Sequence, residues 1–123
     1  MLEPSFRTLA IKAPDVEMPV EQLSGGNQQK VVLARWLTGN ARVLLLDEPT
    51  RGVDIGAKDA LHETIRDLAR QGAGIILISS ELPELLQLAT RILVMREGRV
   101  VGTVAMQDAD QAHLLRLMSG LAA

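Results

Sequence analysis

Asp47 and Glu48 are adjacent carboxylates at the end of an unbroken apolar run, Val43-Leu44-Leu45-Leu46. A run of that length reads as a strand covered on both faces, as in a parallel sheet, although a buried helix gives the same pattern. Pro49 and Gly52 follow at once and favour a strand that stops abruptly. The two acids then stand at a strand's carboxyl end, the edge where open α/β sheets bind ligands. Two like charges at a buried edge are costly unless something uses them. A magnesium ion and an attacking water would use both; a solvated surface turn is the plain alternative.

A second stretch with chemical potential is Ser24-Gly25-Gly26-Asn27-Gln28-Gln29-Lys30, which runs into apolar residues as far as Leu37. Ser24 is a good helix N-cap. Glycines at a helix start let backbone N–H groups approach a ligand, and those donors at the positive end of the helix suit a phosphate. The apolar positions 31 to 34, 36 and 37 surround most of this helix and predict that it is largely buried, with Trp36 as core and Gly39 as its end.

The elements that must position these residues follow in order. Residues 1 to 22 read as an irregular lead-in broken by Pro4, Pro14 and Pro19, with a short strand as one reading of Leu9-Ala10-Ile11. After the strand at 43 to 48, residues 50 to 55 form a loop that contains Asp54. A helix from about Gly56 to Gln71 has Ala57, Leu61, Ile65 and Leu68 at helical spacing, with Gly72 and Gly74 closing it. His62 in this helix has no partner at metal-ligand spacing and is expected to be a solvated surface histidine. Ile75 to Ser79 is a second apolar strand, so strand, helix and strand make a parallel βαβ unit. Ser79 or Ser80 caps a short helix, and Ser80 is expected beside the same ligand edge as Asp47. Ile92 to Arg96 and Arg99 to Val104 form a hairpin about Glu97-Gly98. Asp108, with Gln111 as capping-box partner, starts a last helix with Leu114, Leu115, Leu117, Met118 and Leu121 on its apolar side and His113 at the edge.

Composition sets bounds. The chain of 123 residues carries a net charge of −2 and no basic block, which gives no footing for nucleic acid or an anionic membrane surface. It has no cysteine, so disulfides and thiolate metal sites are excluded, as suits the cytosol. No apolar run approaches the roughly 20 residues needed to span a bilayer. Length points to one domain with a real core.

Taken together, these stretches resemble the later part of the ATP-binding cassette of ABC transporter ATPases. Leu23-Ser24-Gly25-Gly26-Asn27-Gln28-Gln29-Lys30 is similar to the family's signature motif, Val43 to Glu48 to its Walker B strand, and Arg51-Gly52-Val53-Asp54 to its D-loop. Three motifs in order at family spacing are specific. The wording from Gly26 to Lys30, from Asp47 to Lys58 and from Ile78 to Glu84 resembles bacterial simple-sugar importers of the ribose, galactose and xylose type, in their second cassette. That likeness runs from about Gln22 to the C-terminus and is loose over residues 1 to 21.

The resemblance implies an α/β fold with a P-loop NTPase-type parallel sheet and flanking helices, truncated at the N-terminus and ending in a β-hairpin and a helix. Residues 23–123 would be the C-terminal part of a cassette and 1–22 a lead-in. It implies ATP and Mg2+ as cofactors, with Asp47 holding the metal through water and Glu48 serving the hydrolytic water. It implies nucleotide contacts from Ser24, Gly25, Gly26, Gln28 and Asp54. The implied partners are a second cassette and transmembrane permease subunits, at the cytoplasmic face of the cell membrane.

Two departures qualify the likeness. No Gly-x-x-x-x-Gly-Lys-Ser/Thr sequence occurs, so the chain is expected to be a fragment that does not turn over ATP alone. The family's switch histidine falls at Ser80, and a serine cannot act as a cation toward a γ-phosphate. The motifs also split between two sites in this family: Asp47, Glu48 and Ser80 serve the local one, and Ser24, Gly25 and Gly26 the opposite cassette's. The alternatives are a non-transport ABC-type ATPase, or a non-catalytic module that docks on a partner cassette.

Overall fold

The computed structural model describes residues 9–15, 17–37 and 41–121. It divides into two compact units, residues 1–78 and 79–123.

In the first unit a single 3-10 turn at Val20–Gln22 leads into helix α1, Gly25–Leu37. Strand β1 is Val43–Asp47, helix α2 is Ile55–Arg70, and strand β2 is Gly74–Ile78. β1 and β2 pair in parallel from Val43↔Gly74 to Asp47↔Ile78, which is the βαβ unit predicted from the order of elements. The ladder continues one step further, since the Glu48 N–H donates to the Ile78 carbonyl at 2.8 Å. α2 starts where the Asp54 carboxylate accepts from the Ala57 N–H at 3.0 Å. That bond satisfies one of the donors a helix start leaves open and places a negative charge at the positive end of the dipole.

Several expectations for this unit are corrected. β1 is not covered on both faces: Leu44 and Leu46 are buried, but Leu45 is 70% exposed. An unbroken apolar run conceals the two-residue alternation, and here one face of the sheet faces solvent. α1 is buried along Leu33 and Ala34, whereas Val32 and Trp36 stand out, Trp36 at 64%. The helix packs along one stripe against α2, so apolar residues on its other sides have nothing to meet. The proposed end at Gly39 lies outside the described residues. His62 is buried at 4% rather than solvated. The buried arc of α2 spans Leu61, His62, Thr64, Ile65 and Leu68, a face broader than its apolar residues alone define. Leu9 and Ala10 form a turn instead of a strand, although Leu9 is buried.

The second unit holds helix α3, Leu82–Leu88, strands β3, Arg91–Arg96, and β4, Arg99–Ala105, and helix α4, Gln111–Ser119. β3 and β4 form the predicted hairpin. Both turn residues have positive φ, Glu97 at 51° and Gly98 at 75°, the conformation that matches the right-handed twist of paired strands. A register shift opposite Val94 and Met95 leaves Val101 as an extra residue in β4. Ile92, Val94, Val104 and Leu114 make one buried cluster, with Leu82, Leu85, Leu86, Val101 and Leu117 against it. Two caps differ from expectation. The residue before α3 is Glu81, which makes no side-chain cap; the Ser79 hydroxyl instead accepts from the Glu81 N–H. Asp110, not Asp108, caps α4 and accepts from the His113 N–H at 2.8 Å. Asp108 is taken up by a 3-10 turn at Met106–Asp108.

Candidate functional site

The first turns of α1 and α2 meet at a cleft of about 290 Å³ lined by Lys12, Ser24, Gly26, Asn27, Lys30 and Asp54, with Ala10, Gly56, Ala57 and Ala60. Two motifs thirty positions apart in the chain therefore open on the same space. Helix geometry leaves the N–H groups of the first α1 turn without intrahelical acceptors, the first ladder bond here being Gln28 N–H to the Ser24 carbonyl. Ser24 is exposed. Its hydroxyl accepts from the Asn27 side-chain amide at 2.9 Å. The Asn27 carbonyl oxygen in turn accepts from the Lys12 backbone N–H at 3.0 Å.

The two glycines of the turn meet different surroundings. A Cβ on Gly25 would touch nothing within 4 Å, while one on Gly26 would lie 2.5 Å from the Ala57 Cβ. Gly26 is therefore the point where α1 and α2 cross at closest approach, a packing requirement independent of any ligand. Only at Gly25 does the missing side chain leave room open to solvent.

Lys30 is 8% exposed, and its ammonium reaches the Ala10 carbonyl at 3.5 Å. Burial, aided by the neighbouring Lys12, holds its pKa below the usual lysine value. The Gln28 amide turns away from the cleft and donates to the Leu23 carbonyl at 2.9 Å, tying α1 to the turn before it. Sequence reasoning missed Asn27, Lys12 and Lys30 as lining residues. Asn27 and Lys30 stand within the motif, but Lys12 comes from the irregular lead-in, where nothing in the sequence marks it.

Asp47 and Glu48 do not line this cleft. Asp47 is exposed and lies on the open face of the sheet, so its charge is solvated and not held at a buried edge. Glu48 is half-buried with φ of 48°. That left-handed conformation is rare and costly for a residue with a side chain. It turns the chain out of β1, and Thr50, buried at 2%, anchors the loop that follows. Ser80 is exposed and belongs to the second unit.

Among the described residues no group of three His, Cys, Asp or Glu side chains could hold a metal ion. Magnesium is commonly bound by one or two carboxylates together with phosphates and water. Exposed Asp47 beside Glu48 fits that shared mode, not a site closed by protein. No helix among the described residues is long and apolar enough to cross a membrane.

The model of the ABC transporter family matches residues 4–51, which reaches back into the stretch where the sequence likeness was loose. A ribose/galactose/methyl galactoside import ATP-binding protein of Rhizobium etli is 54% identical over 115 residues, 94% of this chain and 22% of that protein. A xylose import ATP-binding protein of Geobacillus kaustophilus is 51% identical over 114 residues, 93% of this chain and 23% of that one. The chain thus spans less than a quarter of the length of these relatives. Among solved structures, a metal-chelate type ABC transporter in an inward-facing conformation aligns with a TM-score of 0.80 at 20% identity, over 98% of this chain and 48% of that chain. An ATP-binding cassette solved as a post-hydrolysis dimer with ADP and Pi aligns at 0.69 and 21% identity, over 85% and 45%. These two establish the P-loop cassette fold. Motifs, fold and relatives agree: the chain carries part of an ABC transporter domain and, over more than nine-tenths of its length, is similar to the ATP-binding proteins of ribose, galactose and xylose importers.

Proposed function

We propose that residues 23–123 are the C-terminal part of one cassette, with 1–22 as its lead-in, in an ATPase that energises uptake of a simple sugar. The observation that carries this reading is the cleft where Ser24, Gly26, Asn27 and Asp54 converge. The open N–H groups of the first α1 turn suit a phosphate. The phosphate would come from the nucleotide of an opposite cassette, as in the pairing seen for the related fold. Gln28 supports that turn from behind by its bond to Leu23.

The second set of residues serves the local nucleotide. Asp47 would hold Mg2+ through water, and Glu48, aimed by its unusual backbone, would orient the hydrolytic water. When bound, ATP supplies the phosphoryl group whose transfer drives the cycle. In sequence, Ser80 takes the position of the family's switch histidine, and on that resemblance the local site is read as the weaker of the two. The partners are a second cassette and membrane permease subunits, which would hold the protein at the inner face of the cell membrane.

The test uses the importer that carries this segment, reconstituted in vesicles. Ser24→Arg puts a bulky cation where the opposite phosphate sits and abolishes sugar uptake and ATPase turnover. Glu48→Gln impairs a site already lacking its histidine, so both rates fall less. Equal loss in the two variants overturns the assignment of Ser80. Uptake unchanged by Ser24→Arg overturns the function itself.

A further inference from the structure

We infer that Asn27 is a positioning residue that fixes the direction of the Ser24 hydroxyl proton and aims it out of the protein toward an anion. Hydrogen-bond polarity sets this direction. A backbone N–H can only donate, so the Asn27 atom 3.0 Å from the Lys12 nitrogen must be the carbonyl oxygen. The other end of the amide, the NH2 group, then faces Ser24 Oγ at 2.9 Å. An amide nitrogen has no acceptor capacity, so Ser24 must accept there. Its own hydrogen is left for another partner, and Ser24 is exposed at the mouth of the cleft. The orientation is thus dictated fifteen positions upstream by the main chain at Lys12.

The segment that supplies this N–H is held in place by the same helix. Lys30, one turn beyond Asn27, donates to the Ala10 carbonyl, and Ala10 has φ of 46°. Residues 10 to 12 are therefore gripped twice by α1. Without the Lys12 bond the amide is free to turn over, and Ser24 could then spend its proton on the Asn27 oxygen.

This inference rests on the phosphate role proposed for Ser24, and the experiment separates the two. Asn27→Asp has nearly the same shape and still accepts from Lys12, but it reverses the second bond, so that Ser24 donates inward. Inorganic phosphate is titrated into the chain and followed by NMR at the backbone amides of Gly25 and Gly26. The same is done for N27D, S24A and the double variant, and thermal melts confirm folding. The added negative charge weakens phosphate binding in any background. The polarity effect appears only when the serine is present, as a further loss of about tenfold for N27D in the otherwise unaltered chain relative to the S24A background. In the S24A variant itself, one of the two Asn27 side-chain amide protons shifts upfield and exchanges faster. Equal losses in both backgrounds, or an Asn27 amide indifferent to S24A, overturn the inference and leave the phosphate role standing. Gly25 and Gly26 amides undisturbed by phosphate in the unaltered chain overturn both.

Discussion

The two units bury apolar surface in different ways. In the second, the hairpin and helices α3 and α4 enclose Ile92, Val94, Val104 and Leu114, with Leu114 fully buried, although the hairpin's other face presents Leu93, Met95 and Val100 to solvent at 57% or more. In the first, Leu44 and Leu46 point into the core, but the opposite face of the sheet presents Val43, Leu45, Ile76 and Ile78 to solvent at 49% or more. The hairpin closes its core with two helices, α3 and α4. A two-stranded parallel sheet has two faces and edges to satisfy, and one connecting helix covers only part of them. The difference locates stability in one place and chemistry in another: the candidate residues all lie at helix starts and strand ends, and none of them lies in the closed cluster.

Substitutions can break or sharpen that contrast. The largest effect belongs to Leu114→Ala, expected to destabilise the chain by about 2–5 kcal/mol, against a change within about 0.5 kcal/mol for Leu45→Ala on the open face. Urea denaturation of both checks it, and similar costs would mean that the open face is covered in solution.

Next comes the helix crossing. Gly26→Ala forces a Cβ onto Ala57 and is expected to cost about 1–3 kcal/mol. Adding Ala57→Gly restores most of that loss, whereas Gly25→Ala is neutral or slightly stabilising. A Gly26→Ala chain that melts like the unaltered one would show the crossing to be loose.

A smaller and opposite effect is expected at Glu48. Glycine adopts its backbone conformation freely, so Glu48→Gly is expected to stabilise by about 1 kcal/mol while removing the carboxylate. Loss of stability in calorimetry would indicate that the side chain's own contacts outweigh the strain.

The smallest effect is a slope with pH. Lys30 has a folded-state pKa below its unfolded value of 10.5. The unfolded chain therefore binds more protons between those two values, and this residue's contribution to stability rises with pH across that window. Lys30→Met should flatten the rise in denaturation midpoints measured toward pH 10.

The order of elements was legible because each depends on local chemistry: the apolar run before Asp47, the α2 spacing of Leu61, Ile65 and Leu68, the Glu97-Gly98 turn. What escaped depends on neighbours. Nothing local distinguishes Trp36 exposed from Trp36 in a core, or shows that His62 falls inside the buried arc. Asp108 and Asp110 are equally good caps in isolation, and the turn at Met106 decided between them. At the candidate site the motif residues were visible, but Asn27 acquires its role from a main-chain N–H in a stretch without periodicity.

The parallel register of β1 and β2 bears on the order in which the chain acquires structure. Val43 cannot find Gly74 until the whole of α2 has been traversed, while Arg96 meets Arg99 across a two-residue turn. Closing the longer loop carries the larger entropic cost before any contact rewards it. During synthesis, β1 with its apolar open face emerges first and waits for β2, whereas the hairpin pairs almost as soon as its second strand appears. The segment bearing Asp47 and Glu48 thus settles only once α2 and β2 have been made, and the interval before β2 arrives is when Leu45 and its neighbours are most open to capture by other chains.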